Sequence, residues 1–307
     1  MTLQKIVTQL SLRLCSRYEK ESATVIAWYF LEAFVGITRT DALCNQNRII
    51  SEKEINLLNS MVTRHLQEHE PLQYLIGSVP FLSLTLTLRP PILIPRPETE
   101  EWVAGLIEKL KKLQFSKEKK ITILDLCTGS GCIGLAIAHA LPNAEVTLLD
   151  TADHAIKLAQ ENAHKNNVVN VQFLQGNLFE PLIASSKKFD LIVSNPPYIT
   201  EQEWHTLDPE VKDWEDYNAL VAPENGLGLI KKIISQAVGF LHKKTILTDA
   251  GIEQLWLEYG ADQGKNVLDF CHKSGYSNAR IQKDLAHKDR IIMATPDQHD
   301  NKNSFSY

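Results

Sequence analysis

The sequence predicts an α/β protein: a doubly wound, mainly parallel sheet preceded by a small helical domain. Three observations carry this. Apolar residues recur at helical spacing from Leu3 to about Leu75, with only Gly36 and Pro71 as breakers. The pattern then changes to alternation at Leu82, Leu84, Leu86 and Leu88, stopped by Pro90-Pro91. From Ile121 onward, short apolar runs alternate with helical stretches, the signature of βα units.

The elements follow in order. Ile6, Leu10, Leu12 and Leu14 open a region of four or five short helices, so residues 1–77 are expected to form a helical domain that recognises a substrate. Residues 78–97 read as a hairpin linker, residues 98–296 as the sheet domain and residues 297–307 as a polar, disordered tail. Within the sheet domain a helix is expected from Glu98 to Leu113, then a charged loop, Lys117 to Lys120. Strand Ile121–Leu126 leads through the turn Cys127-Thr128-Gly129-Ser130-Gly131 into a helix over Cys132–Leu141. Strand Val146–Leu149 ends in Asp150; helix Ala155–Asn166, strand Val171–Leu174 and strand Phe189–Ser194 follow. Further strands are expected at Thr245–Thr248, Leu255–Glu258, Ala279–Lys283 and Arg290–Ala294, with a helix between Gly264 and Ser274.

Composition narrows the function. A net charge of -5, from 37 acids and 32 bases, argues against an affinity built on neutralising phosphates. The five cysteines are odd in number and scattered, which predicts reduced thiols and no zinc site. His65 and His69 lie at helical spacing without a third ligand, so no metal is expected. No apolar run approaches the roughly 20 residues that span a bilayer, and the N-terminus lacks a signal-peptide core. Lys5, Arg13 and Arg17 without an acid give residues 1–18 a faint likeness to a transit peptide; the apolar spacing favours an ordinary amphipathic helix.

Two motifs carry chemistry. Gly129, Gly131 and Gly134 fit G-x-G-x-x-G, and Asp150 lies 21 residues after Gly129, a pattern open to a nicotinamide dehydrogenase. Asp125 inside the preceding strand, and the lack of any other group for hydride chemistry, favour S-adenosylmethionine. The turn is expected to bring its backbone N–H groups to the ligand, and Asp150 offers paired acceptors for two ribose hydroxyls. The second motif is Asn195-Pro196-Pro197-Tyr198, directly after a buried strand. An Asn side-chain oxygen and the Pro196 carbonyl can accept the two N–H groups of a planar amino group and aim its lone pair at an electrophile. Proline preorganises these acceptors, and Tyr198 can lay its ring on the planar group.

These stretches resemble the HemK/PrmC family of glutamine-N5 methyltransferases. The resemblance is carried by Asp125–Gly131 and Asn195–Ile199, which adenine-N6 methyltransferases would share, and by three further segments, Pro71–Gly77, Leu93–Glu100 and Glu258–Gly264. It implies a Rossmann-like class I methyltransferase with a seven-stranded sheet and S-adenosyl-L-methionine as cofactor. It implies methylation of the glutamine in the Gly-Gly-Gln motif of class 1 peptide-chain release factors. The cofactor would be bound by Cys127, Thr128, Gly129, Ser130, Gly131, Asp150, Asn177, Leu178 and Asn195. Asn195, Pro196, Pro197 and Tyr198 would hold the substrate, with Asn195, Pro196 and Tyr198 catalytic. The release factor would be the partner of a monomer, without membrane or direct nucleic-acid binding, in a bacterial cytoplasm or, for a eukaryotic source, the mitochondrial matrix. An adenine-N6 nucleic-acid methyltransferase is the alternative; a dehydrogenase and a non-catalytic nucleotide-binding scaffold are further rivals. The family usually has Gly where Cys127 stands, and a Cβ in left-handed backbone costs roughly 1–2 kcal/mol, so Cys127 is expected at negative φ. Asn177 stands where an acid is common, and Trp214–Leu220 departs from the family's usual stretch after the motif.

Overall fold

The computed structural model describes residues 1–44, 48–113 and 120–297. Of the expected disordered tail only Asp297 is described, and it is ordered, its amide donating to the Gly275 carbonyl; residues 298–307 and most of the Lys117–Lys120 run lie outside the described residues. Contacts divide the chain into two units: Met1–Ser78 together with Asp208–Trp214, and Val79–Leu207 together with the chain from Glu215 onward.

In the first unit, helices Leu3–Leu14, Lys20–Val35 and Glu52–Gln67 enclose a core of Ile6, Leu10, Leu14, Phe30, Leu31, Leu58 and Val62. The spacing Leu3, Ile6, Val7, Leu10, Leu14 puts these side chains on one helical face. Ser51 starts the Glu52–Gln67 helix with a capping box: its hydroxyl accepts from the Glu54 amide, and the Glu54 carboxylate accepts from the Ser51 amide at 2.8 Å. The detached segment Asp208–Trp214 is tied in by charge. Arg17 reaches Asp208 at 2.9 Å and Glu210 at 2.8 Å, Tyr18 donates to Glu210, and the Trp214 indole donates to the Glu68 carbonyl. Nothing in the sequence around residue 208 announced this excursion.

Apart from Ser78, the second unit begins with strands β1 (Ser78–Phe81) and β2 (Leu84–Thr87), joined by two residues. Phe81, Leu84 and Leu86 of this hairpin are buried in the same core as the sheet. The sheet itself contains β3 (Ile121–Leu126), β4 (Ala144–Asp150), β5 (Val171–Gln175), β6 (Leu191–Ser194), β7 (Leu255–Glu258), β8 (Asn278–Lys283) and β9 (Asp289–Thr295). Their order is β5-β4-β3-β6-β7-β9-β8, parallel through β7 and antiparallel for the last two. Successive residues of a strand feed opposite cores: Ile123 and Leu191 go to one, Leu124 and Ile192 to the other. Both faces are therefore buried, and the parallel strands read as continuous apolar runs.

Two sequence expectations need correction, and one helix is additional to them. Thr245–Thr248 is not a strand: the Thr245 hydroxyl accepts from the amides of Leu247 and Thr248 and caps a short helix, Ile246–Asp249. That removal leaves the sheet with seven strands. The helix Gly228–Phe240, which buries Ile230, Ile233, Ile234 and Ala237, was not anticipated. Strand β6 starts at Leu191, because Phe189 instead bridges to Leu241. The remaining ends of these elements coincide or differ by at most two residues, the usual uncertainty of a boundary.

Candidate active site

In an open parallel sheet the ligand crevice lies at the carboxyl ends of the strands where the winding reverses. Here that point is β3, with β4 on one side and β6 on the other. Leu126 and Ser194 are register partners, so the next residues, Cys127 and Asn195, leave adjacent strands side by side. The Ser194 hydroxyl donates to the Leu126 carbonyl at 2.7 Å and locks the two strand ends together. The glycine turn and the Asn-Pro-Pro-Tyr turn thus open into one cavity. Cys127, Thr128, Gly129, Ser130, Asp150, Asn177, Leu178, Asn195 and Pro197 all line it.

Part of the turn's hydrogen-bonding capacity is used within the protein. The amide of Thr128 donates to Leu149, that of Gly131 to Thr128, and that of Gly129 to Asp150 Oδ2 at 2.9 Å. These three N–H groups are engaged within the protein, and the turn acts chiefly as a frame for Asp150. The other carboxylate oxygen accepts from the Ala152 amide at 3.0 Å. Burial nevertheless pushes the Asp150 pKa up, against those hydrogen bonds. Gly131 lies outside the cavity lining: it sits at φ 83° at the start of helix Cys132–Ala140, where a Cβ would come within 2.8 Å of Leu135.

Cys127 overturns its expectation. Its φ is 58°, left-handed backbone despite a side chain. Packing of the thiol against the core on that face of the sheet, with the fixed strand ends on either side, outweighs a cost of about 1–2 kcal/mol. Burial drives the Cys127 thiol pKa well above its ordinary value, so it stays protonated at neutral pH.

Asp125, buried at the end of β3, is less well satisfied. Its Oδ2 accepts from the Thr128 hydroxyl at 2.5 Å and the Gly134 amide at 2.9 Å, while Oδ1 has no hydrogen-bond partner. Desolvation of this half-satisfied carboxyl raises its pKa to about 7.

Within the second motif, Pro196 and Tyr198 are absent from the cavity lining. The Tyr198 hydroxyl points instead to Glu258 at 3.4 Å, and its carbonyl accepts from Gln263 Nε2 at 2.9 Å. Glu258 and Thr99 are the residues sequence reading underrated. Thr99 lines the cavity and contacts both Asn195 and Glu258. A signal existed: an acid closing the buried run Leu255-Trp256-Leu257 is out of place unless it is used. Among the described residues there is no cluster of three or more potential metal ligands.

Comparison with known proteins decides the family. A family model described as "PrmC N-terminal domain" matches residues 5–77, and one described as "Methyltransferase small domain" matches residues 105–208. A protein named release factor glutamine methyltransferase from Thermodesulfovibrio yellowstonii is 37% identical over 82% of this chain and 85% of its own length. One of the same name from Aliivibrio fischeri is 38% identical over 80% of this chain and 81% of its own. A third, from Flavobacterium psychrophilum, is 32% identical over 95% and 98%. The chain belongs to the release factor glutamine methyltransferase family. Family membership makes this a methyltransferase domain with S-adenosyl-L-methionine as cofactor, and removes the dehydrogenase and scaffold readings. The cavity's own chemistry fits that cofactor. Leu149 and Leu178 give apolar walls suited to a purine, and Asp150 gives two acidic oxygens suited to a vicinal diol and a cation. No helix among the described residues is long and apolar enough to cross a membrane.

Proposed function

We propose that the protein transfers a methyl group from S-adenosyl-L-methionine to the side-chain amide nitrogen, N5, of the glutamine in the Gly-Gly-Gln motif of class 1 peptide-chain release factors. The observation that carries this reading is the register of β3 and β6, which puts Asn195 beside the cofactor turn in one cavity. A planar primary amide is a poor nucleophile, because its lone pair is delocalised. Asn195 Oδ1 accepts one of its N–H groups and the Pro196 carbonyl the other, so the nitrogen is held with its lone pair facing the methyl. Both acceptors strengthen as positive charge grows on that nitrogen. Tyr198, turned towards Glu258, braces the motif from behind, and Pro197 shapes the cavity wall. Asp150 receives the ribose hydroxyls, and Asn177 and Leu178 border the adenine, with Cys127–Gly131 as the frame. When bound, S-adenosylmethionine supplies an electrophilic methyl on a positively charged sulfur. No protein base is required, since the methylated amide nitrogen is strongly acidic and releases its proton to water.

The helical unit would grip the release factor, with the enzyme a monomer in the bacterial cytoplasm or, in a eukaryote, the mitochondrial matrix. The relatives' names and the acidic overall charge support a protein substrate over a nucleic acid. Transfer of tritiated methyl to a release factor carrying Gly-Gly-Gln, and none to one carrying Gly-Gly-Ala, is the expected result. Label appearing on nucleic acid would instead favour an adenine-N6 enzyme. Asn195→Ala should reduce transfer by about 100-fold or more; unchanged transfer would remove Asn195 from the mechanism.

A further inference from the structure

We propose that Thr99 and Glu258 are positioning residues that set the polarity of the Asn195 amide, so that its oxygen rather than its NH2 group meets the substrate. This rests on the reading of Asn195 given above and adds the device that makes Asn195 an acceptor.

An asparagine amide is nearly symmetric in shape, and its two ends have opposite hydrogen-bonding character. Turned one way, Asn195 would accept from a substrate N–H; turned the other, it would repel it. The choice is made by Thr99. Its hydroxyl has one proton, which it donates to Glu258 Oε2 at 2.7 Å. Its oxygen therefore has only lone pairs left, and these accept from Asn195 Nδ2 at 3.2 Å. A flipped Asn195 would face Thr99 oxygen to oxygen with no proton between them. The NH2 end is thus committed to Thr99, and the carbonyl oxygen is left for whatever enters the cavity.

Glu258 fixes the direction of this chain of hydrogen bonds. Burial pushes the Glu258 pKa up, while the hydrogen bonds it accepts from Thr99 and Trp102 pull it down; in its ionised form the carboxylate has no proton to give, so Thr99 then acts as donor towards it. The same carboxylate gathers Trp102 Nε1 at 2.9 Å on Oε2 and the Tyr198 hydroxyl at 3.4 Å on Oε1. Thr99 and Trp102 are three residues apart on helix Pro97–Lys111 and so share a face. Glu258 is 1% and Thr99 1% exposed, which keeps water from substituting for either partner. The polarity runs from the carboxyl through hydroxyl and amide, and each link strengthens the next: an Asn195 NH2 group engaged by Thr99 makes the Asn195 oxygen a better acceptor for an N–H that becomes more acidic during transfer.

The test uses the full chain with Thr99→Val, Thr99→Ser and Glu258→Gln. Removing the hydroxyl in Thr99→Val should lower kcat for glutamine methylation about 30-fold, with the calorimetric Kd for S-adenosylmethionine within about threefold. Thr99→Ser should recover to within about threefold of wild type, and Glu258→Gln should fall about tenfold. In 15N-labelled protein without cofactor, the Asn195 side-chain NH2 signals should be protected from solvent exchange, and lose that protection in Thr99→Val. The proposal is overturned if Thr99→Val or Glu258→Gln keeps wild-type kcat, if Thr99→Ser fails to recover, or if Asn195 NH2 exchange is the same in wild type and Thr99→Val. The exchange measurement needs no substrate, so it judges the polarity of Asn195 even if the methyl acceptor proves not to be glutamine.

Discussion

The side-chain amide of Asn162 donates to the main-chain carbonyl of Ser130 at 2.9 Å, and so hangs the glycine turn on the helix Asp153–Lys165. The same amide group donates to the Thr87 carbonyl at 3.1 Å, while its oxygen accepts from the Thr87 N–H at 2.6 Å. One buried residue therefore supports both the edge of the β1-β2 hairpin and the turn beside the cavity. Replacing it with Leu leaves Ser130 O and both Thr87 groups without this partner, at a cost of about 2–4 kcal/mol. Urea unfolding should show that loss, and calorimetry should show S-adenosylmethionine binding several-fold weaker, because Ser130 lines the cavity. Unaltered cofactor affinity would mean that the turn holds its shape without Asn162.

How much of this was legible in the sequence depends on the range of the interactions. Most strands of the βα series, and the places of the glycine turn after β3 and of Asn195–Tyr198 after β6, are local: apolar runs, glycines and prolines within a few residues decide them, and the structure has these segments at those strand ends. Thr245–Thr248 was misread because a β-branched, apolar tetrapeptide also suits a helix when its first threonine can cap. Cys127 was misjudged for the opposite reason, since a local penalty was given more weight than the strand ends that hold it. The partners of Asn162, Thr99 and Glu258 were invisible. Thr99 lies 159 residues from Glu258 in the chain, and no spacing rule reaches that far. An asparagine inside a helical stretch and an acid closing an apolar strand marked that something was there without saying what it met.

Arg96 and Glu215 form a buried ion pair whose two halves are unequal. Arg96 Nη2 reaches the two Glu215 oxygens at 2.8 and 2.7 Å; the Arg96 side chain is 31% exposed and that of Glu215 is 0%. Burial lifts the Glu215 pKa to about 7 even though Arg96 opposes the rise. Arg96→Leu should thus destabilise by about 2–4 kcal/mol, somewhat less than a wholly buried pair because Arg96 reaches solvent. The double variant Arg96→Leu/Glu215→Leu should recover most of that loss, since no lone carboxylate remains. Urea midpoints of the single and double variants measure it, and equal losses would show that the pair contributes through packing alone.

Asp125 predicts a pH dependence of stability with a definite sign. In the unfolded chain an aspartate ionises near 3.9, whereas burial holds the folded Asp125 protonated up to about 7. Between those values the folded state binds a proton that the unfolded state has released. Stability from this group therefore falls as pH rises from about 4 to about 7 and levels off above, by on the order of 2–4 kcal/mol. Asp125→Asn cannot titrate. The stability of wild type relative to Asp125→Asn should accordingly be greater at pH 4.5 than at pH 7.5 in urea unfolding. A difference independent of pH would show that Asp125 ionises normally.

Gly226 tests whether the Asn-Pro-Pro-Tyr turn is held from behind. Its φ is 80°, and a Cβ there would lie 2.0 Å from the Tyr198 carbonyl oxygen and 2.5 Å from Gln263 Nε2. Those two atoms are themselves hydrogen-bonded at 2.9 Å, and the next residue, Ile199, exchanges backbone bonds with Leu220 and Ala222. The end of the motif is thus clamped between residues 220–226 and Gln263, and the close approach leaves room only for a hydrogen. Gly226→Ala must push the Tyr198 carbonyl away or unwind residues 222–226, on top of left-handed strain; about 3 kcal/mol of stability should be lost. Because Tyr198 is three residues from Asn195, the displacement should also reach the turn and lower kcat at least tenfold. The frame around Asp150 is built from β3 and β4 and stands clear of this clamp, so the Kd for S-adenosylmethionine should stay within about threefold. A Gly226→Ala protein with normal kcat would show that the motif keeps its geometry without support from this loop. A protein that loses cofactor affinity and kcat together would show that the clamp extends to the glycine turn.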